Sequence, residues 1–308
     1  MPARRLVRAG RANRVGRVSE LRARATLRED EIAGALAVAG TAAAADGVGA
    51  LSEHSTLALR AGRPGLLAVE DGTVVGYARF DPADGGEPAS GELVVHPAHR
   101  RRGHGRALLR AMLKEAGGPL RVWAHGDLPA AAGLARSAGL DRARALLQMR
   151  RPAAAPLPAA KVAEGVTLRA FRPGADEDAW LRVNARAFAD HPEQGAWTIE
   201  DVRDREAEDW FDPAGFFLAE RDGRLVGFHW TKVHPGAIGE VYVVGVDPDA
   251  QGLGLGRTLT LAGLHHLRDL GLDQLMLYVD ESNTAAVRLY ESLGFSRYAV
   301  DVMYGTAG

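Results

Sequence analysis

The sequence predicts two tandem α/β domains, each a mixed, mostly antiparallel sheet flanked by helices. Three observations predict it: a repeat at a constant offset of 151 residues, a proline- and alanine-rich stretch between the copies, and in each copy an apolar strand running into a glycine-rich turn that opens a helix. Mixed strands and helices in that order pack as a layered α/β sandwich. A chain of 308 residues, 46% hydrophobic and 25% charged, is long enough to bury a core in each half.

The repeat is visible in two stretches. Residues 66–80 (LLAVEDGTVVGYARF) match 216–230 (FFLAERDGRLVGFHW) to within a residue, with Asp71-Gly72 on Asp222-Gly223 and Gly76 on Gly227. An Asp-Gly pair between two apolar runs reads as a tight β-hairpin. Residues 93–109 then match 244–260, placing Pro97 on Pro248, Arg100 on Gln251, Gly103 on Gly254 and Gly105 on Gly256. An internal duplication is the simplest account of one offset held over both stretches. The segment RRPAAAPLPAAKVAE, without amphipathic period, marks the join. The expected organisation is a basic, disordered extension over 1–20, a first domain over 21–150, a linker over 151–164 and a second domain over 165–308. In each half a helical region is expected first, then the hairpin, the apolar strand, the turn and helix, a further strand, a late helix and a last strand. The late helix of the second half spans 283–293, with Asn283 as N-cap and Gly294 as its stop.

Composition excludes several function classes. The net charge is −1, so no global field favours nucleic acid or an anionic membrane. No apolar run reaches the ~18 residues of a membrane span, and the absence of cysteine rules out disulfides and a cysteine nucleophile. The first thirty residues hold nine arginines and no lysine but lack the apolar core of a secretory signal. A cytoplasmic protein is the resulting expectation.

A strand that feeds a glycine-rich turn and a helix makes an anion site, because the first amides of the helix have no intrahelical partner and the helix dipole is positive there. The dinucleotide pattern G-x-G-x-x-G/A fails at Gly103, Gly252 and Gly254, and the phosphate-loop pattern lacks its lysine. The spacing both halves do fit is [RQ]-x-x-G-x-[GA]. That spacing, after a strand ending in Val95 or Val246 and a His-Pro or Asp-Pro pair, resembles motif A of the GCN5-related N-acetyltransferases (GNAT). The resemblance covers both halves. It implies acetyl-CoA as co-substrate and no metal. Around the diphosphate it places Arg101, Arg102, Gly103, His104, Gly105 and Arg106 in the first half. In the second it places Gln251, Gly252, Leu253, Gly254, Leu255, Gly256 and Arg257. Leu93, Val94 and Val95, and Val244, Gly245 and Val246, are expected to pair with the pantetheine arm as an added strand. A sheet-splaying bulge is expected at Gly245. The late-helix residues Asn283, Thr284, Ala285, Ala286, Val287 and Arg288 correspond to family positions along the coenzyme.

In such enzymes the amine attacks the thioester directly, so the protein must accept a proton, support an oxyanion and protonate a thiolate. Glu240, at the head of EVYVVGV, is the expected base and Tyr290 the expected acid, its ordinary pKa of roughly 10 suiting a thiol. The Val246 amide is the candidate oxyanion donor. In the first half Ala135 stands at the place of Tyr290, and Glu92 is three residues out of register with Glu240. That half is therefore expected to bind acetyl-CoA without turnover. The adjacent pair His265-His266 reads as ordinary helix, and the tryptophans 197, 210 and 230 as core.

In the second half, FADHPEQGAWT, WFDP, GFHWTKVHP and GEVYVVGVDP, with ELVVHP, WAHG and LLQMRRP in the first, resemble a tandem-domain branch of that family, the mycothiol synthases. The likeness spans the chain apart from its first thirty residues. It implies transfer of acetyl to the cysteine amine of cysteinyl-glucosaminyl-inositol, with Glu53, Glu193, Lys232, Glu240 and Tyr278 meeting that substrate. A monomer is the expected state. Two rivals are a tandem acetyltransferase for another amine, such as a peptide N-terminus or an aminoglycoside, and a non-catalytic acyl-CoA sensor.

Overall fold

The computed structural model describes residues 19–84, 86–189 and 192–306, without the side chains of residues 19, 192 and 193. Residues 1–18 of the expected extension lie outside the described residues. Two compact units divide the chain, Met1–Asp81 with Gly91–Gly117, and Pro82–Ser90 with Gly118–Gly308.

The first unit opens with a strand, β1 (Ser19–Arg24), where the sequence reading had extension and helix. SELRAR has little apolar alternation, because β1 is a largely solvated edge strand paired only with β2 (Gly65–Glu70). Helices α1 (Glu29–Asp46) and α2 (Glu53–Arg60) lie between β1 and β2 in the chain. Next come β3 (Thr73–Asp81), β4 (Ala89–Val95) and α3 (His104–Ala116), with strand order β1-β2-β3-β4. The β2–β3 hairpin turns at Asp71 (φ 52°) and Gly72 (φ 79°), the left-handed pair that the Asp-Gly signal calls for. Ala35, Val38 and Ala42 of α1 close over Leu67, Val69, Tyr77 and Val94 to form this unit's core.

The second unit contains β5 (Leu120–Ala124), α4 (Pro129–Ser137), β6 (Leu140–Pro152), β7 (Val166–Ala170), α5 (Glu177–Ala187), α6 (Pro192–Gly195) and α7 (Ile199–Glu206). It continues with β8 (Phe216–Arg221), β9 (Arg224–His234), β10 (Ile238–Val246), α8 (Leu255–Asp269), β11 (Gln274–Asp280), α9 (Thr284–Ser292) and β12 (Ser296–Thr306). Its strand order is β5-β12-β6-β11-β10-β9-β8-β7. The two copies interleave here. β12, from the second copy, lies between β5 and β6 of the first, and β6 lies between β12 and β11. Burial explains the exchange: Leu147 and Met149 of β6 fill a core with Leu275, Leu277, Val287, Leu293 and Phe295. Alternating apolar residues announce both strands as strands but do not name their neighbours.

On the other side of this sheet, α5 and α7 cover an aromatic cluster. Trp230 is fully buried, stacked on Phe216 at 4.4 Å, and Phe216 stacks on Phe171 at 4.3 Å. Trp180 meets Phe216, Phe228 and Trp230 edge-on. Such stacked and edge-on pairs bury large apolar area, and they tie β8, β9 and β10 to α5 and α7 beneath the site.

Candidate active site

The site begins where two parallel strands part. β10 and β11 pair from Ile238↔Gln274 to Val241↔Leu277. Beyond that, β10 slips register against β9 between Val241 and Val243, and residues 243–246 remain paired with β9. β11 continues to Asp280 alongside β6. The inner edges of β10 and β11 therefore diverge, and among the described residues 243–246 gain no partner from β11. An unpaired strand edge of this kind accepts an extended ligand through main-chain hydrogen bonds. The irregularity lies two to four residues before Gly245, where the sequence reading had placed it. Gly245 is in regular pairing with Phe228, and a Cβ there would stand 2.7 Å from the Phe228 ring and 3.1 Å from Ala187. Close packing, not a bulge, requires that glycine.

The slip sorts side chains onto two faces. Val241 and Val244 pack with Tyr290 on the α8–α9 side, while Tyr242 and Val243 both turn to the aromatic cluster. Glu240, one residue before Val241, points to that opposite face, opposite Lys232 on β9 and Met276 on β11. The expected base and acid thus stand on opposite faces of the sheet, at the level where it opens.

Glu240 is 6% exposed, and His234 Nε2 lies 2.6 Å from its Oε2. Lys232 is also buried, its ammonium 4.3 Å over the Trp210 ring and 5.2 Å from Tyr242. Arg205 donates from Nε to the Tyr242 hydroxyl at 2.7 Å and lies 3.8 Å over Trp197. Tyr278 receives a hydrogen bond from Gln148 Nε2 at 2.6 Å. Although Tyr278 is 39% exposed, desolvation by its neighbours pushes the phenol up to about 12, helped by the charges of Glu240 and Asp301, which places Tyr278 near Glu240. Lys232, Glu240 and Tyr278 are therefore gathered on one face. His234, Gln148 and Arg205 join them and had not been singled out. His234 and Gln148 fall inside the stretches WTKVHP and LLQMRRP, and only the cross-strand register brings them to Glu240 and Tyr278.

Tyr290 is almost fully buried, its ring edge-on to Phe295 at 6.0 Å. Burial pushes its phenol up to about 12, above the ordinary value assumed from sequence. A phenol raised in this way holds its proton at neutral pH, the form the expected role as an acid requires.

The two glycine turns share one backbone. Each follows a capped Pro turn: His96 accepts from the Ala98 amide and Asp247 from the Asp249 amide. Arg100 and Gln251 are extended (ψ 161° and 159°). Arg101 and Gly252 are left-handed (φ 63° and 83°), as are the N-caps Gly103 and Gly254 (φ 96° and 71°). Neither helix has a side-chain cap or an acidic residue in its first turn, so neither α3 nor α8 spends its leading amides on a carboxylate. At Gly256 a Cβ would meet nothing within 4 Å, and its φ is not positive. Neither strain nor internal packing demands this glycine, and the space it leaves suits a diphosphate lying against the amides.

Side chains in the turns are differently employed. Arg100 forks onto Asp46 at 2.7 and 2.6 Å, and Arg102 reaches Glu70 at 3.3 Å. The His104 side chain is buried beside Glu70, while Arg101 and Arg106 are exposed. In the second turn Leu255 is buried, offering only its backbone, while Gln251 and Arg257 are exposed. Along α9, Asn283 spends its side chain capping the Ala286 amide at 3.1 Å and Val287 faces the core. Thr284, Ala285 and Arg288 are exposed. Leu93 and Val95 are half-buried on β4, and Val94 packs into the first unit's core. Glu53 opens α2 in the first unit. Glu193 lies in α6 with its side chain outside the described residues.

An acetyltransferase (GNAT) family model matches residues 42–139 and 180–295, once in each half. A mycothiol acetyltransferase of Thermomonospora curvata is 69% identical over 280 residues, covering 90% of this chain and 94% of its own.

The chain belongs to the GNAT acetyltransferase family.

Mycothiol acetyltransferases of Thermobispora bispora and Streptomyces coelicolor are 63% and 52% identical, covering 87% and 95% of this chain. Among solved structures, a GCN5-related N-acetyltransferase from Sphaerobacter thermophilus superposes with a TM-score of 0.67 at 24% identity, over 93% of this chain and 95% of its own. A tandem GNAT protein from the clavulanic acid pathway gives 0.67 at 21%, over 93% and 98%. These two share the fold. The chain is thus a tandem GNAT N-acetyltransferase that takes acetyl-CoA as donor.

Proposed function

We propose that the second copy transfers acetyl from acetyl-CoA to the cysteine amine of cysteinyl-glucosaminyl-inositol, giving mycothiol and CoA. The choice of acceptor is supported by the name shared by relatives at 52–69% identity. The observation that carries the chemistry is the parting of β10 from β11, with Glu240 on one face and Tyr290 on the other.

The second glycine turn and residues 244–246 hold the diphosphate and pantetheine, so that the thioester lies in the opening. Glu240, held by His234, takes the proton from the acceptor ammonium, and the free amine attacks the thioester carbon. The Val246 amide supports the oxyanion. As the carbon–sulfur bond breaks, Tyr290 gives its proton to the departing thiolate; the second proton, lost from the attached nitrogen as the amide forms, restores Tyr290 through solvent, and the proton on Glu240 is released to solvent. An acid and a base on opposite faces of the sheet bracket the opening, so the attacking nitrogen and the leaving sulfur each meet their own group. Lys232, Tyr278 and Glu193 read the acceptor's hydroxyls through hydrogen bonds, charge-assisted where the side chain is ionised. The first copy, with Ala135 in place of the tyrosine, binds acetyl-CoA and does not turn over. The protein works as a cytoplasmic monomer, and 21–150 and 165–308 are the two ancestral copies.

The test is CoA release with mass detection of the acylated product, using cysteinyl-glucosaminyl-inositol, a peptide N-terminus and an aminoglycoside as acceptors. Turnover with the first, and product carrying a free thiol, is the expected result. Preference for another amine would displace the acceptor, and no turnover with any would favour an acyl-CoA sensor.

A further inference from the structure

Beside the first glycine turn, in the first unit, two imidazoles and a carboxylate converge. Glu70 ends β2 and is 4% exposed, His104 opens α3 and is 2% exposed, and His99 stands on the Pro turn at the surface. His99 Nδ1 is 2.8 Å from Glu70 Oε2, and His104 Nε2 is 3.3 Å from the same oxygen. One ligand atom from each of the three lies within 4.8 Å of the others. We propose that Glu70, His99 and His104 form a binding site for a zinc-class divalent ion.

The spacing fits the ion. Bonds of about 2.0–2.1 Å in a tetrahedral centre set ligand atoms about 3.3–3.4 Å apart. The His104–Glu70 distance already has that length, and the His99–Glu70 distance opens by about half an ångström. His99 is the most exposed of the three and sits on a turn, so it is the ligand able to move. Two neutral imidazoles and one carboxylate suit zinc or cobalt rather than magnesium or calcium. Three protein ligands leave one position for water or a phosphate oxygen. The carboxylate is ready for this role: the His99 hydrogen bond and the Arg102 charge hold Glu70 well below the usual carboxylate range. The site stands outside the transfer reaction, which uses residues of the second unit and no metal, so its failure and the failure of the acceptor assignment are separable.

The competing use of the same atoms is a hydrogen-bonded anchor for the turn, in which Arg102 completes the charge balance. That guanidinium makes only long contacts with Glu70, at 3.3 and 3.5 Å, and is 45% exposed. It competes with a bound cation for the carboxylate. The two uses therefore predict opposite responses to removing Arg102.

Metal-free full-length protein is titrated with Co²⁺ by visible absorption and with Zn²⁺ by calorimetry. We expect one saturable ion per chain with the intense absorption of tetrahedral cobalt. His99→Gln should weaken binding at least about tenfold with an unchanged melting temperature, and Arg102→Gln should tighten it several-fold. The His265→Gln variant should bind as the parent does. Absence of saturable binding, equal affinity in His99→Gln, weaker binding in Arg102→Gln, or loss confined to His265→Gln would each overturn the site.

Discussion

The turns at 100–105 and 251–256 are two editions of one backbone with different side chains. They share an extended residue at 100 and 251, a left-handed N-cap glycine at 103 and 254, and a left-handed position that is Arg101 in one and Gly252 in the other. Yet Arg100 and Arg102 of the first pair with Asp46 and Glu70, while among the described residues none within 251–256 forms an ion pair and the nearest, Arg186 with Asp247 and Asp249, lies in the Pro turn before it. What the duplication kept is the row of helix-opening amides. The cationic residues that make the first turn look the stronger diphosphate site are partly engaged elsewhere, which leaves Arg101 as the cation there without an ion pair among the described residues. The copies differ again beneath the turns. His229 and Gly263 pack together in the second, and a Cβ at Gly263 would collide with the His229 ring. The equivalent positions in the first are Ala78 and Met112, both fully buried. Large and small have changed places between strand and helix, so that the pair still fills its layer.

The largest expected effect breaks the functional half of this comparison. Tyr290→Phe and Glu240→Gln should each lower kcat about 10²- to 10⁴-fold in the CoA-release assay, the range for a lost general acid or base. Placing the missing tyrosine in the first copy, Ala135→Tyr, should restore nothing in either variant. Because burial holds Tyr290 up to about 12, the parent's kcat should show no falling limb from this phenol below pH ~10. Parental turnover in both variants would remove the mechanism.

The next effect concerns the turns. Gly256→Val puts a side chain where the protein itself has nothing within 4 Å. The melting temperature should stay near that of the parent, while kcat/KM for acetyl-CoA falls about 10²-fold through displacement of the diphosphate. Unchanged kinetics would mean that the open space at Gly256 does not receive the coenzyme.

Much of this arrangement was legible in sequence. The hairpins were announced by Asp71-Gly72 and Asp222-Gly223, the turns by their glycines, and the α9 cap by Asn283. Lys232, Glu240 and Tyr278 were singled out, and they share a face. What was not legible is what depends on partners distant in the chain. The interleaving of β6 and β12 is decided by which buried row completes which core, and a strand's alternation is indifferent to that. β1 escaped notice because a solvated edge strand needs no apolar pattern. The raised Tyr290 and the engaged Arg102 reflect surroundings, not identity.

A third effect follows from the His229 exchange. His229 is fully buried, donating from Nδ1–H to the Leu259 carbonyl at 2.7 Å, and burial lowers it to about 4. With a folded value below the ordinary ~6.5, the unfolded chain takes the proton first as pH falls. Stability is then undiminished above pH ~6.5 and is lost as pH falls towards ~4. Between pH 7 and 5 the loss from this group is about 2 kcal/mol. Importing the first copy's pair, His229→Ala with Gly263→Met, should remove that part of the acid sensitivity in urea titrations at the two pH values. An identical loss in the exchanged protein would show that His229 is not the titrating group.

The smallest effect tests the turns at their one mismatched residue. A left-handed backbone costs a residue with a Cβ about 1 kcal/mol relative to glycine. Arg101→Gly should therefore raise the melting temperature by about 2–4 °C and Gly252→Arg should lower it by a similar amount. Coenzyme binding separates this from function. Since Arg101 forms no ion pair among the described residues, Arg101→Gly should weaken acetyl-CoA at the first copy while stabilising the fold, and Gly252→Arg should do the reverse at the second. Calorimetry in which both variants gain or lose affinity together with stability would mean that the arginine serves the turn and not the ligand. The excess charge of the first edition would then be structural throughout.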